Sequence, residues 1–382
     1  MIMMNTKKVD IIIPAYKAHG TMMRCLSSIM CQTAVDDVNV VIVNDCCPEG
    51  DYGDFVAMFS PYMQICEIQM EKNGGPGLAR QLGVDRTCSE FITYMDADDV
   101  FMVATAVETM LKDIQQDKTY MISSGSFYSP VHRSPPNELC KNMIWVFGKI
   151  YRRSFLEKYG IKFNGTRANE DTCYNQTIWM LCDNPQEQIH YIEENLVYYM
   201  INDQSITRMN DSQYYYDQGI CGAIDNGINA IEFAKKFRPF SERIVKQVLH
   251  LMLMSYLEYA KILEKAPPFA MQAWEFCKKL YHTCYKQLEG FYSDEVFRFA
   301  YSDYMRYALR DMEMRGVIIT LGVREFMERL RTEEYDPNFI HELWGEMWNV
   351  PFYRYYMENN IACGVCPEGY AERAEKEESN EV

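Results

Sequence analysis

A chain of 382 residues, 48% hydrophobic and 24% charged, has the composition of a soluble globular protein with room for a full core and for two domains, or one domain with a large appendage. No stretch approaches the roughly 18 consecutive apolar residues of a bilayer span, so no integral membrane segment is expected and the chain reads as cytoplasmic, with peripheral membrane attachment left open. The net charge of −16 argues against electrostatically driven nucleic-acid binding, which depends on Lys and Arg neutralising phosphates.

In chain order, Met1 to Asn5 is too short for a signal peptide, and strand pattern follows almost at once. Val9-Asp10-Ile11-Ile12-Ile13 is a β run closed by Pro14, Ala15 to Gly20 is a loop, and Met22, Leu26, Ile29 and Met30 recur at helical spacing. Val38 to Val43 is a second buried strand, ending in the polar pair Asn44-Asp45. The 14 cysteines lack regular spacing and include the adjacent Cys46-Cys47, which fits reduced thiols better than a disulfide framework.

Gln64 to Met70 supplies a third strand. The turn Asn73-Gly74-Gly75-Pro76-Gly77 then feeds a helix from Leu78, and suits either a phosphate at a helix N-terminus or a plain turn. Phe91 to Met95 is the central strand, and three carboxylates follow it within four residues, Asp96-Ala97-Asp98-Asp99. Ligands of open α/β sheets bind outside the carboxyl ends of the strands. In extended backbone Asp96 and Asp98 point the same way and can address one hard cation, Mn²⁺ or Mg²⁺. The competing reading makes the acids an N-cap for a helix starting near Val103.

Ala104 to Ile114 reads as a helix, Tyr120 to Phe127 as a strand, and Ser129 to Asn137 as a Pro- and Ser-rich loop. Trp145 to Tyr151 is apolar and aromatic; Arg152 to Tyr159 is a short helix with Gly160 past its end. Asn169-Glu170-Asp171-Thr172 opens a helix whose buried side is Tyr174, Ile178, Trp179 and Leu181. Ile189 to Met200 is a strand, and Asn202 to Arg208 a polar loop.

This β-α-β-α-β rhythm predicts a mostly parallel sheet flanked by helices. From about Tyr214 only helical periodicity remains, over 245–262, 271–288, 296–314 and 324–330. The expected domains are an α/β domain over 1–212, an α-helical C-terminal domain over 213–370, and a charged, disordered tail over 371–382. Three further groups each have two readings: Cys363 with Cys366 as a zinc pair or a chance spacing, His132 as a third metal ligand or a surface histidine, and Trp344 with Trp348 as a sugar platform or core.

Taken together, Ile13-Pro14-Ala15-Tyr16, Val43-Asn44-Asp45, Asn73 to Arg80, Tyr94 to Asp99, Tyr151 to Leu156 and Asn169 to Thr172 resemble, in order and at familiar intervals, the family 2 glycosyltransferases of the GT-A fold. The resemblance covers roughly residues 7 to 210. It implies a Rossmann-like α/β domain that transfers a sugar from a nucleotide-sugar donor to an acceptor hydroxyl, with inversion and with Mn²⁺ or Mg²⁺. By position it gives Pro14, Tyr16, Asp45, Gly75, Arg80 and Asp96 to the nucleotide-sugar, Asp98 with Asp96 to the metal-bound diphosphate, and Asp171, with Glu170 beside it, to the general base. A UDP-sugar is the family default.

The chemistry of these side chains agrees with that assignment. Charge develops on the leaving diphosphate as the glycosidic bond breaks, and a divalent cation stabilises it. A carboxylate within hydrogen-bond reach activates the acceptor hydroxyl. Arg80 offers a planar donor fork for nucleotide oxygens or a surface partner for Asp85 or Glu90. The acceptor is expected to be a glycan, a lipid-linked glycan or another hydroxyl compound. The helical C-terminal domain would serve that acceptor or self-association as a homo-oligomer. Two rival functions are a non-catalytic sugar-nucleotide or glycan binder on the same scaffold and a nucleotidyltransferase. The second would want a basic, Gly-rich triphosphate loop near the N-terminus, and Pro14 to Gly20 offers only Lys17 and His19.

Overall fold

The computed structural model describes residues 7–130, 135–166, 168–201, 211–291 and 323–332. His132, Trp344, Trp348, Cys363, Cys366, the expected helix over 296–314 and the tail lie outside them. The chain divides into two compact units between Ser205 and Ile206.

The first unit is built on one eight-stranded sheet in the order β3-β2-β1-β4-β7-β6-β8-β5. Its left half is parallel: β1 (Val9–Ala15), β2 (Val38–Asn44), β3 (Gln64–Gln69) and β4 (Phe91–Tyr94). Every residue of β2 is buried, as expected of a strand covered on both faces and rich in β-branched side chains. The crossovers are α1 (His19–Met30), α2 (Gly53–Phe59) and α3 (Gly75–Arg86). Because β1, β2 and β4 are parallel, their carboxyl ends share one edge.

The right half is mixed. After β5 (Val100–Phe101) and α4 (Ala106–Gln116) comes β6 (Ile122–Tyr128), then α5 (Pro136–Leu139) and β7 (Lys149–Arg152). β7 runs antiparallel to both β4 and β6, so its first residue, Lys149, lies at the same edge as the end of β4. Next come α6 (Arg153–Tyr159), α7 (Glu170–Leu181), α8 (Pro185–Gln188) and β8 (Ile189–Tyr198), which pairs parallel to β6 and antiparallel to β5. Gly160 closes α6 with φ 68°, the left-handed cap that glycine adopts without strain.

One buried node holds the amino ends of β1 and β2 away from that edge. Asp10 accepts from Asn39 Nδ2 at 2.8 Å, Ser89 N at 2.9 Å, Ser89 Oγ at 2.7 Å and Arg153 Nη2 at 2.8 Å. Arg153 of the Arg152-Arg153 motif is therefore a structural residue.

The second unit is helical. The segment α9 (Ser212–Tyr215) continues through π-helical turns at Tyr216–Asp225 into α10 (Asn226–Lys235). The 24-residue α11 (Glu242–Lys265) starts at Ser241, whose side chain accepts from Ile244 N in the usual N-cap manner. The α-helical part of the expected 271–288 helix is α12 (Ala270–Leu280), after which the chain widens into a π turn at Tyr281–Tyr285. Trp274, Tyr256 and Tyr259 pack around Phe326 of α13 (Val323–Thr332). Among the described residues no helix is long and apolar enough to cross a membrane, and the 12 described cysteines are free thiols.

Candidate active site

The loops at the shared sheet edge are tied to one another. Asp45, directly after β2, is buried, and its carboxylate accepts Gly74 N at 2.6 Å and Gly75 N at 2.8 Å. It closes the glycine turn, in which Gly75 has φ +82°, a conformation that penalises a Cβ. Pro14 is half-buried within β1, while Tyr16 beyond it is 47% exposed. The Lys17 amide donates to Cys47 Sγ at 3.2 Å and the Ala18 amide to Tyr52 Oη at 3.1 Å, which binds the loop after β1 to the loop after β2.

Arg80 is the hinge of the arrangement. It is 4% exposed, and its Nη2 lies 2.6 Å from Asp96 Oδ1 while its Nη1 lies 2.6 Å from Glu170 Oε1. The surface pairing with Asp85 or Glu90 is thereby overturned: one turn of α3 turns this side chain inward, and two carboxylates compensate the buried charge. Burial opposes its ionisation, but the field of Asp96, Glu170 and Asp171 outweighs burial and holds the guanidinium firmly protonated. Its Nε is buried with no hydrogen-bond partner, one donor left over from the fork. Gly77 makes the approach of α7 to α3 feasible, since a Cβ there would lie 2.6 Å from Asn164 O and 2.8 Å from Glu170 Cγ.

The acid run after β4 differs from both readings of the sequence. The Asp99 amide donates to Asp96 O at 3.0 Å, so Asp96 to Asp99 form a turn and not an extended segment. Nor do the acids cap a helix: β5 intervenes, and α4 begins at Ala106 behind Thr105. Asp96 and Asp98 are half-buried, and Arg24 Nη2 donates to Asp98 O at 2.9 Å. Asp99 is 1% exposed; its Oδ1 accepts Met200 N at 2.8 Å and its Oδ2 has no partner. Burial, then the charges of Asp96 and Asp98, push its carboxyl up to about 9. Crowded carboxylates with an orphaned buried oxygen fit a hard divalent cation, which takes oxygen ligands from one or two acids and from substrate phosphates.

The Glu170-Asp171 pair opens α7 behind Asn169, whose φ is +55°. Glu170 is buried on Arg80, whereas Asp171 is half-buried, with Oδ1 accepting Thr172 N at 2.7 Å. Burial, then the neighbouring charge of Glu170, push the Asp171 carboxyl up to about 7 against the opposing pull of Arg80. A carboxylate with so raised a value is a stronger base than an exposed one. α7 is fixed to β7 by Tyr151 Oη donating to Asn175 Oδ1 at 2.8 Å. Sequence reasoning overlooked Lys149, 2% exposed beside this site; its signal was a lone charge inside the apolar run Trp145 to Tyr151.

The comparisons decide the family. A model described as glycosyl transferase family 2 matches residues 10–169. The N-terminal unit is a family 2 glycosyltransferase domain. Among curated relatives of this glycosyltransferase domain, the glycosyltransferase GlyA of Streptococcus pneumoniae is 25% identical over 230 residues, 53% of this chain and 32% of GlyA. The glycosyltransferase EpsJ of Bacillus subtilis is 22% identical over 224 residues, 53% of this chain and 63% of EpsJ. The chain thus spans less than two thirds of either relative. Among solved structures, S. aureus TarS 1–349 in complex with UDP-GlcNAc superposes with TM-score 0.63 at 14% identity, over 86% of this chain and 93% of that one, which shows the shared GT-A fold.

Proposed function

We propose that this chain is an inverting, metal-dependent glycosyltransferase that moves a sugar from a nucleoside-diphosphate sugar to an acceptor hydroxyl, with Asp171 as general base. The observation that carries this reading is the bridge Asp96–Arg80–Glu170, which joins the Asp96-Ala97-Asp98 turn to the Glu170-Asp171 pair across a shared sheet edge.

Pro14, Tyr16, Asp45 and Gly75 line the nucleotide end, with Asp45 acting through the glycine turn that it closes. Arg80 orients Asp96 toward the donor. Asp98 with Asp96 would hold Mn²⁺ or Mg²⁺, which when bound stabilises charge on the leaving diphosphate. Asp171 accepts the proton of the acceptor hydroxyl as its oxygen bonds to the anomeric carbon; the electron pair of the broken glycosyl–oxygen bond leaves with the diphosphate. Base and leaving group act on opposite faces of the sugar, so the centre inverts.

A UDP-sugar is the donor to try first, as TarS 1–349 was solved with UDP-GlcNAc. We assign the catalytic domain to 1–212 and give the helical 213–370 segment to the acceptor or to self-association. Location in the cytoplasm follows as part of the same proposal. The test is a screen of nucleotide-sugars for release of nucleoside diphosphate with and without Mn²⁺. Turnover of one donor supports the reading; no turnover together with no thermal stabilisation by any nucleotide would favour a non-catalytic binding protein.

A further inference from the structure

Lys149 is the buried charge for which the bridge around Arg80 gives no account. It is 2% exposed, so nearly all of its stem and amine lie out of bulk water. Among the described residues no carboxylate comes within 4.0 Å of it. Its backbone is fixed, since Thr93 Oγ1 donates to Lys149 O at 2.7 Å. A buried ammonium without a direct ion pair is costly, and an apolar side chain of similar volume would pack there more cheaply.

The register of β7 against α7 says what the amine faces. Lys149 and Tyr151 are two residues apart on β7 and share a face; Asp171 and Asn175 are one turn apart on α7 and share a face. The Tyr151 Oη to Asn175 Oδ1 bond of 2.8 Å locks one pair of positions together. One step back along both elements, toward the ligand edge, that register directs Lys149 toward Asp171, whose charge acts on its amine.

Charge around Asp171 is unbalanced without it. From α7 comes Glu170, from α3 Arg80, from the turn after β4 Asp96, and from β7 Tyr151 and Lys149. Arg80 is one cation against the three carboxylates Asp96, Glu170 and Asp171, and it is already bonded to the first two. Lys149 is the second cation. The groups facing it are Asp171 and the thiol of Cys140; burial draws its amine down to about 8, with Asp171 pulling the other way.

We propose that Lys149 is a positioning residue for the transfer step: its buried ammonium is the counter-charge that keeps Asp171 ionised when the acceptor hydroxyl arrives. The inference rests on the reading of Asp171 as the base.

The test uses the full chain labelled with 13Cγ-aspartate, titrated by NMR from pH 5 to 9, with the Asp171 resonance identified by its loss in Asp171→Asn. In Lys149→Met and in Lys149→Gln the Asp171 midpoint is expected to rise by about one pH unit or more, and in Lys149→Arg to stay within about half a unit of the parent. Midpoints unmoved in the Met and Gln variants would overturn the proposal and leave the base assignment standing. Undiminished nucleoside diphosphate release by Asp171→Asn would instead remove the base assignment, and the proposed role of Lys149 with it, even where the titration shows the two side chains coupled.

Discussion

Arg80 Nη1 lies 2.6 Å from Glu170 Oε1, joining residues 90 positions apart in the chain. Both side chains are buried, at 5% and 7% exposure, so the pair is little screened by solvent. Arg80→Ala leaves Glu170 as an uncompensated buried charge and is expected to cost about 3–5 kcal/mol, read by urea unfolding. Arg80→Lys keeps the charge but cannot address Glu170 and Asp96 as a planar fork. It should retain most of the stability and lose most of the turnover.

Gly77→Ala tests the packing beneath that pair. The added carbon would stand 2.6 Å from Asn164 O, backbone that cannot swing aside. An overpacking cost of roughly 1–3 kcal/mol is expected, with a loss of donor turnover larger than the loss of stability, since Glu170 is the other atom group displaced. Parallel melting curves and rate measurements check both.

Activity should rise with pH through about 7, the value to which burial and Glu170 push Asp171, and not through the ordinary carboxylate range near about 4. A base must be ionised to accept a proton, so kcat/KM at pH 5 is expected to fall to roughly a hundredth of its plateau. Stability runs the other way. The folded-state value lies above the unfolded one, so this group's contribution to the fold is complete below about pH 4 and is lost as pH rises through about 7. Asp171→Asn should therefore be more stable than the parent at pH 8 and nearly equal to it at pH 4, as measured by urea unfolding at both.

Asp10→Ala separates scaffold from site. Asp10 accepts bonds from three residues, Asn39, Ser89 and Arg153, at the end of the sheet away from the acids. Its removal leaves the buried Arg153 guanidinium without its carboxylate, held only by Ser89 O, Val84 O and Thr87 Oγ1, with an expected loss of about 3–5 kcal/mol. The KM for the donor in the fraction that remains folded is expected to be unchanged.

The sheet was legible because buried parallel strands need continuous apolar runs, and Val38 to Val43 or Phe91 to Met95 can be little else. The edge that carries the site was legible because acids at strand ends break the ladder. What pattern could not give was local geometry and partnership. The Asp96 to Asp99 turn depends on β5, a strand of two residues, Val100–Phe101, too short for any periodicity. The antiparallel run of β7 is set by its pairing with β4 and β6, not by the composition of Trp145 to Tyr151. Arg80 looks like a surface residue of α3 until Gly77 lets α7 close over it. Lys149 was overlooked because neighbours along the sequence say nothing of Asp171, whose charge acts on its amine from another element, α7.

The central claim is that the Asp96-Ala97-Asp98 turn and Asp171 serve one transfer reaction. The most direct measurement is nucleoside diphosphate release from the preferred nucleotide-sugar, with Mn²⁺ titrated, for the parent, Asp98→Ala and Asp171→Asn. The account predicts metal-dependent release that Asp98→Ala loses at all but the highest metal concentrations. In Asp171→Asn the donor KM should hold while kcat falls by about a hundredfold or more. Metal-independent release, or an Asp171→Asn variant with undiminished kcat, would contradict it.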